Sequence, residues 1–83
     1  MDKNLENVLK ETKWWENIND LFADVCIRNK KIEDIVLPTN NDEKKYYTEK
    51  LEYLMSHNQE KYRDRDGKVA YEKLRQIIET LKS

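Results

Sequence analysis

Only two residues in this chain of 83, Pro38 and Gly67, belong to the types that interrupt regular structure most strongly. Proline cannot continue a helix or a central strand, and glycine favours turns, so the chain has few positions at which it must turn sharply. A β-rich fold needs many turns and is disfavoured. The sequence therefore predicts an all-α fold, and its length suits one domain over residues 1–83 with one modest core.

The first predicted helix covers residues 3–11, with Asp2 as its expected cap. Its apolar residues recur at helical spacing and share one side. They are Leu5, Val8 and Leu9.

The second predicted helix covers residues 13–28. Its large and apolar side chains fall within an arc of about 140° at about 100° per residue, which is typical of an amphipathic helix. They are Trp14, Trp15, Ile18, Leu21, Phe22, Val25 and Cys26. Extending this helix backwards places the apolar residues of the first helix well to one side of the arc. We therefore expect a break or kink near Thr12, with a single bent helix as the alternative.

Residues 30–41 contain an apolar cluster that fits either one helical turn or a short extended piece, ended by Pro38. The cluster consists of Ile32, Ile35, Val36 and Leu37. Residues 39–43, Thr-Asn-Asn-Asp-Glu, then combine capping side chains with carboxylates. This pattern indicates the start of a helix, because carboxylates are favourable in the first turn.

Two further helices are expected over residues 42–62 and 68–82. Gly67 marks the end of the first, in the left-handed conformation that often terminates helices. The apolar residues of the second share one face. They are Ala70, Tyr71, Leu74, Ile77, Ile78 and Leu81. Short connections favour a small antiparallel bundle of three to four helices in which the last two form a helical hairpin.

The helix over residues 42–62 carries a second set of large side chains, opposite the face that includes Tyr47 and Leu51. We call this set the aromatic stripe. It consists of Tyr46, Lys50, Tyr53 and His57. A helix with two such faces either lies between two neighbours or offers one face to a partner. Tyrosine is enriched in protein interfaces, so the stripe, together with Trp14, is a candidate protein-interaction surface.

The sequence also contains a basic region that suggests an alternative function. Its members are Lys61, Arg63, Arg65, Lys68, Lys73 and Arg75, with Tyr62 and Tyr71 among them. Basic groups beside aromatic rings are typical of single-stranded nucleic-acid sites. Interspersed acidic residues, such as Asp64 and Glu72, reduce the positive surplus that such a site needs.

On the second predicted helix, an acidic ladder lies on the side opposite the apolar arc. Glu16, Asp20 and Asp24 recur every four residues. Like charges at this spacing repel weakly, so the ladder is either a solvated face or a docking face for a basic partner.

The chain has no arrangement of residues that predicts catalysis or metal binding. His57 is the only histidine and Cys26 the only cysteine, which is too few for a structural zinc site within one chain. No nucleophile or carboxylate stands at a telling spacing from His57. Residues 64–67, Asp-Arg-Asp-Gly, lack the other ligands of a calcium loop and read as a charged turn. We expect no enzyme activity, cofactor or metal.

Cys26 cannot form an internal disulfide, which favours a reducing, cytoplasmic location, and it reads as a small buried hydrophobe rather than a reactive thiol. No apolar run is long enough to cross a membrane, and no signal-peptide core follows Met1. The sequence thus predicts a soluble, unprocessed, non-enzymatic protein-binding module. It acts as a regulator or inhibitor, or it associates with itself.

Overall fold

The computed structural model describes residues 3–83, and the side chains from residue 5 onwards. Within this span there are three α-helices, two short 3-10 turns and no strand. The helices are α1 (Lys3–Cys26), α2 (Asn41–His57) and α3 (Arg65–Lys82). The expected all-α class is confirmed, and three helices is the low end of the expected count.

The helix α1 runs through Thr12 without interruption, so the expected break there is wrong. Thr12 Oγ1 donates to the carbonyl of Val8 at 2.8 Å, which satisfies the hydroxyl inside the helix instead of at a new cap. The break was expected because the residues before Thr12 do not share the apolar arc of those after it. In the structure they do not need to share it, since Leu5, Val8 and Leu9 remain exposed. Asp2, the expected cap, lies outside the described residues.

The connection from α1 to α2 contains both alternatives expected for residues 30–41, one after the other. Ile32–Asp34 forms a single 3-10 turn, and Ile35 is extended. Asn29, just after α1, has a positive φ of 53°. Its side-chain oxygen accepts a hydrogen bond from Lys73 Nζ at 3.0 Å, which ties the end of α1 to α3.

The expected start of α2 is confirmed, and its expected end is wrong. Asn40 Oδ1 accepts from the backbone amides of Asp42 at 2.9 Å and Glu43 at 3.2 Å. The helix ends at His57 instead of Tyr62. Asn58 Nδ2 donates to the carbonyl of Leu54 at 2.7 Å, taking the acceptor that the Asn58 backbone amide would use to continue the helix. The chain tightens into the 3-10 turn Gln59–Tyr62.

The helix α3 begins at Arg65, three residues before the expected position. Asp64 is its cap and accepts from the backbone amide of Gly67 at 2.7 Å. Gly67 therefore lies in the first turn of α3, and its φ is not positive, so the expected left-handed helix end is wrong. The connection between α2 and α3 is residues 58–64 instead of the Asp66-Gly67 turn. Sequence reasoning missed the Asp64 cap because the charged run around it resembled a turn.

The core lies between all three helices. Its buried side chains are Ile18, Leu21, Phe22 and Val25 from α1, Tyr47, Leu51 and Met55 from α2, and Ala70, Leu74, Ile77, Ile78 and Leu81 from α3. The helices α2 and α3 form the expected antiparallel hairpin, since Leu81 and Lys82 at the end of α3 lie near Asn41 at the start of α2. Trp14 contacts Tyr46 near the start of α2, whereas Phe22 lies beside Lys61 after its end, so α1 and α2 point in the same general direction.

No helix within residues 3–83 is both long and apolar enough to span a membrane.

Candidate functional site

The aromatic stripe lies wholly within α2, so the earlier end of this helix does not divide it. Its rings meet two tryptophans of α1. The Trp14 and Tyr46 ring centroids are 5.6 Å apart at an interplanar angle of 57°. Those of Trp15 and Tyr53 are 6.5 Å apart, in an edge-to-face arrangement. Both geometries fall in the range that aromatic pairs favour.

The first half of the stripe is partly buried and lies against α1. Tyr46 is half-buried and packs with Trp14 against the core. Burial raises the pKa of the Tyr46 hydroxyl, and the negative charge of Glu11 raises it further. Lys50 Nζ lies 5.3 Å from the centroid of the Tyr46 ring, a cation–π distance. This half therefore joins α1 to α2, as expected for a helix between two neighbours.

The second half of the stripe faces solvent. Tyr53 is 51% exposed, and the ring of the exposed His57 stacks on it at a centroid distance of 3.9 Å. His57 Nδ1 also lies 2.9 Å from the carbonyl oxygen of Tyr53. Stacking and this contact hold the imidazole against the phenol ring. Tyr53 and His57 thus form a small, ordered aromatic surface at the end of α2.

Trp15 was not among the predicted site residues, although it is the α1 ring beside Tyr53. Sequence reasoning chose Trp14, which instead lies beside the half-buried Tyr46. Adjacent residues on a helix point about 100° apart, so the Trp-Trp pair itself indicated that the two rings would meet different neighbours. Only the crossing of α1 over α2 decides which ring meets the exposed half.

A groove runs between the early part of α1 and the start of α2. Its volume is about 340 Å³. It is lined by Asn7, Lys10, Glu11, Trp14, Asp42, Lys45, Tyr46 and Glu49. Charged side chains of both signs surround the two rings, so the groove has no single charge preference.

The basic region does not form one continuous surface. Lys61 Nζ lies 5.5 Å from the Phe22 ring centroid, and Lys73 Nζ donates to Asn29 Oδ1. Lys61 and Arg63 line a depression that also contains His57 and Glu60, whereas Arg75 lines another with Tyr62 and Tyr71. Arg65 and Lys68 are exposed on the first turn of α3. Nucleic-acid binding by these residues stays a prediction.

The acidic ladder is neutralised at one end. Asp24 pairs with Arg28 at 2.7 Å and lies 3.8 Å from Lys30, whereas Glu16 and Asp20 are exposed. Among the described side chains neither Glu16 nor Asp20 has an ion-pair partner, and these two carboxylates make a weaker docking face for a basic partner than the three expected.

Cys26 is half-buried and packs against the core. Burial raises the pKa of its thiol, and the positive charge of Lys61 offsets this only in part. A raised pKa disfavours the thiolate, which is the nucleophilic form. Within residues 3–83, no three His, Cys, Asp or Glu side chains are grouped so that they could hold a metal ion.

Comparison of the chain with protein families, with curated proteins and with solved structures found no match.

Proposed function

We propose that this protein is a small non-enzymatic binding module that contacts another protein through the exposed half of its aromatic stripe, with Tyr53 and His57 at the centre and Lys50 at the rim. The observation that carries the proposal is the stacking of His57 on a half-exposed Tyr53 beside Trp15. Ordered aromatic rings lose little conformational entropy on binding and supply much contact area. Occupying a partner's surface in this way suits a regulator or inhibitor.

The half-buried Tyr46 supports the surface without belonging to it. Trp14 and Tyr46 fix the position of α1 on α2, and this contact places Trp15 next to Tyr53. The two tyrosines should therefore respond differently to substitution. Tyr46→Ser is expected to lower the free energy of unfolding by about 1–3 kcal/mol, and Tyr53→Ser to change it by less than about 0.5 kcal/mol.

A photo-reactive cross-linker in place of Tyr53, used in cells that naturally contain the protein, tests the proposal. We expect it to capture a defined partner. The matched control places the same cross-linker at Tyr71, which is 41% exposed on α3 and does not belong to the stripe. Identical products from the two positions would show that the surface around Tyr53 has no specific partner.

Variants of the captured complex give the second arm of the test. Tyr53→Ser combined with His57→Ser should weaken the purified complex by at least tenfold, as expected when a central aromatic contact is lost. Tyr71→Ser should leave the affinity within about twofold. Equal affinity of the wild-type protein and the Tyr53/His57 variant would contradict the proposal.

A further inference from the structure

Further along α1, a second groove lies between this helix, the connection that follows it and the start of α2. Its volume is about 360 Å³, and ligand sites in proteins commonly have about 300–1,000 Å³. The wall from α2 carries Glu43 and Tyr47, one helical turn apart. The wall from α1 carries four residues that share one side of the helix, at i, i+3, i+4 and i+7. They are Asn17, Asp20, Leu21 and Asp24. We call this groove the acidic groove.

Much of the lining of the acidic groove is apolar. Leu21 and Tyr47 are each only 5% exposed, and Ile35 and Leu37 are partly buried against the core. Val36 between them is 91% exposed, so the side chains of the connection alternate as they do in an extended chain. An apolar side chain that enters the groove would therefore find apolar neighbours.

The charged side chains of the groove are mostly acidic. The carboxylates of Asp20, Asp24 and Glu43 stand against one ammonium group, that of Lys30. Lys30 Nζ lies 3.8 Å from Asp24, which also pairs with Arg28 at 2.7 Å. Among the described side chains, neither Asp20 nor Glu43 has an ion-pair partner. One carboxylate from each wall is thus available to a cation from outside.

The charge of Glu43 acts on the interior of the groove. Burial raises the pKa of the Tyr47 hydroxyl, and the negative charge of Glu43 raises it further. A second anion brought to this place would meet the same repulsion, whereas a cation would be attracted. The local charge therefore selects a positively charged occupant.

The backbone beside the groove favours a peptide as the occupant. Ile35 is extended, with φ −93° and ψ 124°. Its amide donates to the carbonyl of Ile32 at 3.1 Å, but within residues 3–83 the amides of Val36 and Leu37 donate to no backbone carbonyl. An extended backbone with unpaired amides can pair with an extended segment of another chain.

We propose that the acidic groove binds a short extended segment of another protein in which Lys or Arg stands next to an apolar residue. The apolar side chain contacts Leu21, Ile35 and Leu37, and the cation lies between Asp20 and Glu43. The carbonyls of the segment pair with the free amides of the connection. An acidic segment is repelled, and a purely apolar one leaves two carboxylates beside it without a partner.

A selection from random peptides of about eight residues, displayed on phage and presented to the full chain, tests the choice of occupant. We expect enrichment of peptides in which Lys or Arg adjoins an apolar residue. Asp20→Asn combined with Glu43→Gln should abolish this enrichment, because both changes keep the size of the side chain and remove its charge. Circular dichroism checks that the variant stays helical.

The matched control is Glu72→Gln combined with Glu79→Gln, which removes two exposed carboxylates from α3. It changes the net charge by the same amount and should select the same peptides as the wild type. Absence of basic peptides from the wild-type selection, or their equal enrichment on the Asp20/Glu43 variant, would overturn the proposal.

Nuclear magnetic resonance of the labelled protein locates the most enriched peptide. Its titration should shift the amide signals of the groove saturably and slow hydrogen exchange at Val36 and Leu37. The Asp20/Glu43 variant should bind it about fivefold more weakly, as expected for the loss of two partly exposed ion pairs. The same shifts on concentrating the protein without peptide would identify a second copy as the occupant and refute the proposal.

The acidic groove and the surface proposed above for protein binding have no residue in common. Variants at Asp20 and Glu43 leave Tyr53 and His57 intact, so they should not reduce capture of a partner by a cross-linker at position 53. Shifts at Tyr53 and His57 instead of the groove would place the basic peptide on the aromatic stripe and contradict this inference alone. Loss of capture at position 53 with groove binding retained would contradict only the proposed function.

Discussion

Gly67 lies against the backbone of Lys61, so closely that a methyl group at Gly67 would overlap the Lys61 carbonyl oxygen and come within 2.7 Å of the Tyr62 Cα. The first turn of α3 and the 3-10 turn before it can approach to this distance only because position 67 has no side chain. The single glycine of the chain is therefore needed because the two backbone segments approach closely, and not because the position requires a positive φ angle.

Gly67→Ala is expected to destabilise the protein. Within a helix this change ordinarily stabilises by about 0.5–1 kcal/mol, because alanine loses less backbone entropy on folding. Here the methyl group must push two backbone segments apart, and we expect a loss of about 1–3 kcal/mol in the free energy of unfolding, measured in urea. The neighbouring exposed change Lys68→Ala is the control and should stay within about 0.5 kcal/mol. An alanine variant as stable as wild type would mean that the two segments do not pack this closely.

The hydroxyl group of Tyr62 should affect how the stability of the protein depends on pH. Its buried oxygen has no hydrogen-bond partner among the residues that the structure describes. Burial, followed by the neighbouring Cys26 and Tyr71 groups, raises the pKa of Tyr62 from 10.0 to about 12. A raised pKa means that folding favours the protonated phenol. The corresponding stability is fully present below pH 10.0, the unfolded value, and is lost as the pH rises towards the folded value of about 12.

Tyr62→Phe should therefore leave the free energy of unfolding at neutral pH unchanged or raise it by up to about 1 kcal/mol, since it removes an unpaired buried hydroxyl. It should also make the loss of stability above about pH 10 shallower. Denaturant unfolding from neutral to alkaline pH measures both effects, with Tyr53→Phe as the exposed control. A loss of more than about 1 kcal/mol at neutral pH would indicate that the hydroxyl has a partner.

Asn29 gives a third prediction, because its positive φ lies in a region that β-branched residues avoid. Asn29→Val should cost about 1–2 kcal/mol, whereas Asn29→Gly should be tolerated. Lys73→Ala removes the side-chain hydrogen bond without altering the backbone, and so separates the two contributions of Asn29. Equal stability of the valine and glycine variants in denaturant unfolding would contradict the backbone argument.

Several features of the fold could be predicted from the sequence because they depend on neighbouring residues. The Asn40 cap, the amphipathic arc of α1 from Ile18 to Val25 and the apolar face of α3 all follow from local spacing and capping chemistry. Errors occurred where local patterns compete. Ser56-His57-Asn58 ends α2 early through side-chain bonds to its last carbonyls, and the Asp64 cap starts α3 early. Each of these residues can also be accommodated in a turn or a helix interior, so the sequence pattern alone did not decide between them.

For the candidate site, too, some features could be predicted from the sequence and others depended on how the helices pack. Helical spacing alone placed Tyr46, Lys50, Tyr53 and His57 on one side of a helix. It could not distinguish the half-buried Tyr46 from the half-exposed Tyr53, because that difference depends on where α1 crosses α2. The same crossing selects Trp15 over Trp14 as the neighbour of Tyr53.

The sequence by itself determined that this protein is helical, where most of its apolar faces lie and which rings share a side, because these properties arise from interactions within a few residues. The tertiary structure decided that α1 continues through Thr12 and that Leu5, Val8 and Leu9 remain uncovered. It also decided that the backbone at Gly67 packs against the backbone of Lys61. These outcomes depend on distances between segments far apart in the chain, and such distances are set only when the three helices pack together.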